Sequence, residues 1–442
     1  MRSSILVILA AVFVTTLPGR SLGQPVPHHF TELTVSPDQG VTLSLDGSVS
    51  NLIPSLTGTI SNQFMQMFDT YFIEASTNLV DWTRTATLLR TNNSPVPLQF
   101  QDPQISGAGQ RFYRTTTNHL FTWFLKPSGP YPVGVLDRVM IDPARTNLYR
   151  YTPKTNAFMV TIFYPAEAPA AGTIPTSMWP RRIASDPAVY SMLGLDARWA
   201  KLFTAAFGHH YRDAALAASP KPFPVLFFSH GLSFRLAYSQ MAEELASHGY
   251  VVIAPDHSDC LASEFPDGRY LVGNSPDNAG RFKDMEFLVD EIVRMNAEDS
   301  FFAGRLDLER MGIYGGSYGG IAAEMCRRDE RLKCVALVDG NNFQLPDTGI
   351  GKPFLAMSGS ASEYLSENQA LFSQAKTNAT FFQIQGADHR TFWDEAWGPK
   401  LPAGRPRAIA MDAALVWFFA TYLKGETPAF PTNSEIVNVQ RK

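Results

Sequence analysis

Apolar residues change their spacing once along this chain, and that change divides it. From about residue 24 to residue 120, short runs such as VTLSL and TYFIEAS alternate apolar and polar positions, and Asp-Gly, Asn-Asn and Asp-Pro pairs separate them. Period-two runs bounded by turn formers predict strands, so this stretch reads as a small all-β domain. Beyond residue 121 the strands become solidly apolar and alternate with helical patterns. GPYPVG and MVTIFYPAEA read as opening strands; PVLFFSHG, YVVIAPDH, MGIYGGS, CVALVDG, PFLAMSG and TFFQIQGADH follow, each bounded by Gly, Ser or Asp. Between them AYSQMAEELASHG, residues 284–296 and DAALVWFFATYL carry helical spacing. Continuous apolar strands alternating with helices predict a mostly parallel, doubly wound α/β sheet.

The first 23 residues follow neither pattern. Arg2, an apolar run from Ile5 to Val14, and small Ser21 and Gly23 before Gln24 read as a cleavable secretory signal, with a run too short to span a bilayer. No cysteine follows the run at a lipidation position, so a released or periplasmic protein is expected. The expected organisation is a signal over 1–23, a β-rich module over 24–120, an α/β domain over 121–430 and a tail over 431–442.

Composition removes several function classes. At 442 residues two domains are the natural division, and 45% hydrophobic with 18% charged residues fits a globular chain, not a disordered one. The net charge of −4, with no basic run, argues against a nucleic-acid partner or a polybasic membrane anchor. Neither HExxH nor an acidic calcium loop occurs, so no metal or other cofactor is expected. Cys260, Cys326 and Cys334 lack zinc spacing; Cys326 and Cys334 flank one helix-to-strand connection, where a disulfide and two free thiols both remain open. The adjacent His209 and His210 would point apart on one element, which disfavours a shared metal.

Candidate chemistry centres on MGIYGGSYGGI, residues 311–321. A strand runs into Gly-Gly-Ser-Tyr-Gly-Gly and then into the helix former IAAEM, which is GxSxG in a strand-turn-helix context. Small neighbours let the chain turn sharply and lift the Ser317 hydroxyl above the carboxyl edge of the sheet. A serine nucleophile needs a base and an orienting acid, in the chain order Ser, acid, His for this type of turn. His389, in QGADHRTF beyond a predicted strand, is the only histidine after Ser317. Two acids compete: Asp339 ends CVALVD, and Glu363 follows PFLAMSG; Asp388 adjoins His389 too closely to orient it. Asp339 is the first choice and Glu363 the alternative. Two backbone donors would complete an oxyanion hole, the N–H of Tyr318 and that of Leu232 in FFSHGLSFR. His230 and His257 are expected to hold these loops by hydrogen bonds.

FFSHGLSFRLAYSQMAEELASHGYVVIAPDHSD, GGSYGG, VALVDG and GADHRTF, in that order, resemble the platelet-activating factor acetylhydrolase family of α/β-hydrolases, over residues 129–423. The resemblance implies an α/β-hydrolase fold, an acid after the strand that follows the nucleophile helix (Asp339), and oxyanion donors at Leu232 and Tyr318. It also implies calcium-independent cleavage of short-acyl esters, including acetylated or oxidised phospholipids. The chain departs from the family at Tyr318, where Phe is expected, and at Gly316, where His is common. GGSYGG also occurs in the prolyl oligopeptidase family, which keeps a serine peptidase as an alternative, although the short N-terminal module cannot form a propeller. The run IEASTNLVDW with FQDP and RFYR resembles a β-sandwich module of secreted bacterial proteins. Trp82, Phe112 and Tyr113 there could form a ligand platform or pack a small core; a surface or glycan contact through this module, or a non-catalytic adhesion role, follows from the first reading.

Overall fold

The computed structural model describes residues 30–36, 40–45, 66–80, 82–90, 98–102, 111–122, 124–145, 157–170, 173, 175–194, 206–273, 277–340, 349–376, 378–394 and 404–442. The expected signal, residues 1–23, lies outside them. Contacts divide the chain into two units, Met1–Thr122 and Trp123–Lys442.

In the N-terminal unit the described elements are strands: β1 (Phe30–Ser36), β2 (Gly40–Leu45), β3 (Gln66–Ser76), β4 (Thr83–Arg90), β5 (Leu98–Asp102) and β6 (Phe112–Thr122). They form two antiparallel sheets, ordered β1-β2-β5 and β4-β3-β6. Ile73 and Phe112 are buried, while Trp82 lies under the guanidinium of Arg114, 4.3 Å from its ring centre, and Tyr113 donates to Asp102 at 2.8 Å. All three aromatic residues singled out in the sequence are thus engaged in packing or hydrogen bonding within the unit.

The C-terminal unit is built on one ten-stranded sheet. Its strands are β7 (Val133–Ile141), β8 (Ala157–Pro165), β9 (His210–Arg212), β10 (Phe223–Ser229), β11 (Val251–Pro255), β14 (Leu306–Gly316), β15 (Leu332–Val338), β16 (Phe354–Gly359), β17 (Ala379–Ile384) and β18 (Ile436–Arg441); β12 (Ala262–Glu264) and β13 (Tyr270–Val272) make a separate hairpin. The spatial order is β18-β17-β16-β15-β14-β10-β11-β8-β7-β9. Strands from β11 to β17 across this order run parallel, and β8 and β18 pair antiparallel at their flanks. The expected tail over 431–442 therefore contains a strand: alternating Ile436, Asn438 and Gln440 pair with the edge of β17, a short-range pattern too polar to announce a sheet member.

The solid apolar runs follow from burial on both faces. Along β10, Val225 and Phe227 join a core with Met285, Leu288 and Ile292 of the helix Asn278–Glu298. Phe228 points the other way, its ring 5.1 Å from Tyr238 and 4.7 Å from Tyr314, and Tyr314 meets Phe419 of the closing helix Gly404–Tyr422. Each fully buried Phe contributes about 1.5–3 kcal/mol, so a polar residue at either face of β10 would uncouple sheet from helix. The closing helix is buried nearly all round, and among the described residues no helix is long and apolar enough to cross a membrane. Cys260, Cys326 and Cys334 are free and buried, and burial pushes the Cys326 thiol up to about 12, which keeps it protonated and unreactive.

Candidate active site

β14 ends at Gly316, a single 3-10 turn covers Ser317–Gly320, and the helix Ile321–Arg328 begins at once. Ser317 sits at φ +53°, the left-handed region that L residues avoid, so the turn holds it in a strained conformation. The glycines on either side are required by contact: a Cβ on Gly315 would run into the backbone of Gly319, and one on Gly319 into the carbonyl of Ser229. The turn can be this tight only without those side chains.

The structure brings Ser317, His389 and Asp339 into one hydrogen-bonded row. Asp339 follows β15, also at positive φ, and is fully buried. Its Oδ1 accepts from Ser358 at 2.5 Å and from the Gly359 N–H at 3.4 Å; its Oδ2 accepts from Ser362 at 2.6 Å and from His389 Nδ1 at 2.6 Å. A carboxylate can only accept here, so Nδ1 carries the proton and Nε2 of a neutral ring presents its lone pair. Ser317 Oγ donates to that Nε2 at 2.9 Å. His389 is 7% and Ser317 5% exposed, which leaves a narrow opening to the serine. The rings of Tyr364 and Trp393 stand edge-on to the imidazole at 4.6 and 5.6 Å and restrict its tilt.

The other acids are elsewhere. Glu363 is exposed, its neighbours Ser362 and Tyr364 being the ones turned inward to the row. Asp388 caps the turn that carries His389, accepting from the Thr391 N–H at 2.9 Å and its hydroxyl at 2.7 Å. Ser358 and Ser362, which donate hydrogen bonds to the buried carboxylate, carry no signal in the sequence: a Ser/Gly run after a strand reads only as a turn.

Leu232 lies on the loop after β10. A Cβ on the preceding Gly231 would be 2.8 Å from Ser317 Cβ and 3.4 Å from its Oγ, so this loop presses its backbone against the serine. Tyr318 directly follows Ser317 on the other side. Backbone N–H groups beside a serine hydroxyl can bind developing oxyanion charge, and Leu232 and Tyr318 are the residues that follow Gly231 and Ser317 in the chain. His230 and His257 support the loop: His230 Nδ1 donates to the Gly231 carbonyl at 2.6 Å, its Nε2 accepts the His257 N–H at 3.0 Å, and His257 bridges Ser229 and Asp284 at 3.0 Å each. Burial and the adjacent Arg281 cation hold His230 well below the usual histidine range, so it stays neutral.

His209 and His210 diverge. His209 Nε2 meets the Phe124 carbonyl at 3.2 Å and His210 Nδ1 meets Glu243 at 2.6 Å. Among the described residues no group of three or more His, Cys, Asp or Glu side chains is arranged to hold a metal ion. A cavity of about 400 Å³ is lined by Leu236, Arg235, Arg212, Asp137 and Glu264 among others; Arg235 pairs with Asp256 and Arg212 with Asp137, and neither Ser317 nor His389 lines it.

The sheet, its helices and the strained serine define the α/β-hydrolase fold. A ferulic acid esterase from Streptomyces cinnamoneus has this fold, superposing with a TM-score of 0.59 at 24% identity over 72% of this chain and 98% of the esterase. The fold is what this likeness shows; the curated relatives below give the class, carboxylic ester hydrolase. The family model described as platelet-activating factor acetylhydrolase, isoform II, matches residues 121–266. A platelet-activating factor acetylhydrolase from Cavia porcellus is 23% identical over 61% of this chain and 68% of its own length. A probable 1-alkyl-2-acetylglycerophosphocholine esterase from Arthroderma benhamiae is 25% identical over 49% of this chain and 60% of its own. These matches support the platelet-activating factor acetylhydrolase family.

Proposed function

We propose that the protein is an exported serine esterase that cleaves short-acyl esters, such as acetylated or oxidised phospholipids, through an acyl-enzyme. The observation that carries the mechanism is the continuous row from Ser317 Oγ through His389 to the buried Asp339. Ser317 Oγ attacks the ester carbonyl while His389 Nε2 takes its proton. The imidazolium is stabilised by Asp339, whose carboxylate is held in place by hydrogen bonds from the Ser358 and Ser362 hydroxyls. The N–H groups of Leu232 and Tyr318 bind the oxyanion. His389 then gives its proton to the departing alkoxide, and a water repeats the sequence to release the acid. No metal enters any step.

The short-acyl substrate class rests on the resemblance of the loop, turn and histidine motifs and on the activities for which the relatives are named. The N-terminal unit is proposed as an accessory module that contacts a surface or glycan. The test is hydrolysis of p-nitrophenyl esters graded by acyl length, beside a Pro-anilide. Ser317→Ala should abolish turnover of the acetyl and butyryl esters while staying folded. Full activity in that variant would overturn the reading, and turnover of the anilide in preference to the esters would favour a peptidase.

A further inference from the structure

Arg281 belongs to the first turn of the helix Asn278–Glu298 and is completely buried, at a position where neither composition nor periodicity asks for a cation. Its Nε donates to Asp259 Oδ2 at 2.8 Å, its Nη1 to the carbonyl of His230, and its Nη2 to the carbonyl of Gly231 at 2.9 Å. The Asp259 carboxylate is itself fixed by the Asp277 N–H at 2.9 Å. The planar fork therefore grips two consecutive carbonyls of the loop after β10, and His230 Nδ1 adds a second donor to the Gly231 carbonyl.

The geometry of a peptide bond makes this grip directional. In a trans peptide the C=O and N–H point in opposite directions across one plane. Drawing the Gly231 carbonyl toward Arg281 and His230 turns the N–H of the next residue, Leu232, away from them. Gly231 itself abuts Ser317. Among the described residues the Leu232 N–H meets no backbone acceptor. We propose that Arg281 is a positioning residue of the reaction: by holding the carbonyls of His230 and Gly231 it aims the Leu232 N–H at the oxyanion formed on Ser317. The inference rests on Ser317 as nucleophile and Leu232 as oxyanion donor.

A lysine would keep the charge but could not hold two carbonyls and a carboxylate with one planar group. The contrast between these residues supplies the test. Arg281→Lys and Arg281→Met are compared with the unaltered protein for kcat and KM on p-nitrophenyl acetate. Their affinity is measured for a short alkyl trifluoromethyl ketone, which adds Ser317 Oγ to become an oxyanion, and for the matching alcohol, which does not.

Loss of a whole oxyanion donor costs on the order of 10²-fold or more, so a misaimed one should lower kcat about ten- to hundredfold in both variants. KM should stay within about threefold, and ketone affinity should fall in step with kcat/KM while alcohol affinity and the pH midpoint of activity hold. Arg281→Lys carries the comparison if Arg281→Met does not fold. Loss of kcat and ketone affinity under about threefold in the Lys variant would overturn the proposal. So would equal losses for ketone and alcohol, the signature of general loosening. Failure of the underlying reading is seen separately, as hydrolysis retained in Ser317→Ala.

Discussion

Replacing Asp339 by Asn changes one atom in a buried site where every lone pair has a partner. With the amide oxygen kept at Oδ1, the Ser358 hydroxyl and Gly359 N–H remain satisfied, and the new NH2 faces Ser362 and His389. The Ser362 hydroxyl can rotate to accept, but His389 Nδ1 can accept only by losing its proton, which moves the proton to Nε2. Nε2 then donates toward Ser317 and cannot act as its base. The opposite amide orientation sets NH2 against the Gly359 N–H, two donors face to face in a site without water access. Trapping the wrong tautomer in a serine triad costs about 10⁴-fold in kcat. That factor corresponds to about 5.5 kcal/mol of transition-state stabilisation. Folding should suffer far less, by about 1 kcal/mol, since shape and most hydrogen bonds persist. The assay is kcat on p-nitrophenyl acetate with thermal unfolding measured on the same preparation. A kcat within tenfold of the unaltered protein would refute the tautomer argument and return the acid to Glu363 or to none.

Glu363→Gln alters an exposed side chain and should leave kcat and KM within about twofold, a direct contrast with Asp339→Asn in the same assay. Gly231→Ala would place a methyl 2.8 Å from both Ser317 Cβ and the Tyr238 hydroxyl; we expect at least a tenfold fall in kcat and about 1–3 kcal/mol of destabilisation, read by calorimetry. Asp412 is buried beside Glu244 and Asp394, and burial, then those charges, raise its proton affinity well above the carboxylate range. The unfolded chain gives up this proton first as pH rises, so Asp412 subtracts stability with increasing pH. Asp412→Asn should therefore raise the melting temperature more at pH 8 than at pH 4; an equal shift at both would contradict that assignment.

The parts of the site visible in the sequence are those fixed by local chemistry. Gly315 and Gly319 announce a turn because no side chain fits there, and His389 stands out because no other histidine follows Ser317. Asp339 and Glu363 could only be ranked, since both follow strands of one sheet; burial and two serine hydroxyls distinguish them, and those partners come from β16 and the segment after it. The Arg281 grip was invisible for the same reason. It joins the first turn of a helix to a loop some fifty residues earlier, and long-range pairs leave no period in a sequence. β18 reads as tail because IVNVQR mixes apolar and polar positions and, at a sheet edge, leaves Val437 and Val439 exposed. The pairing state of Cys326 and Cys334 likewise could not come from spacing; both thiols are buried and free.

The central claim is that Ser317 forms the covalent intermediate. Treating the folded protein with a fluorophosphonate and mapping the adduct by mass spectrometry tests it directly. The account predicts one stoichiometric adduct on Ser317, absent in Ser317→Ala and accompanied by complete loss of ester hydrolysis. An adduct on another residue, or hydrolysis that survives full labelling, would contradict it.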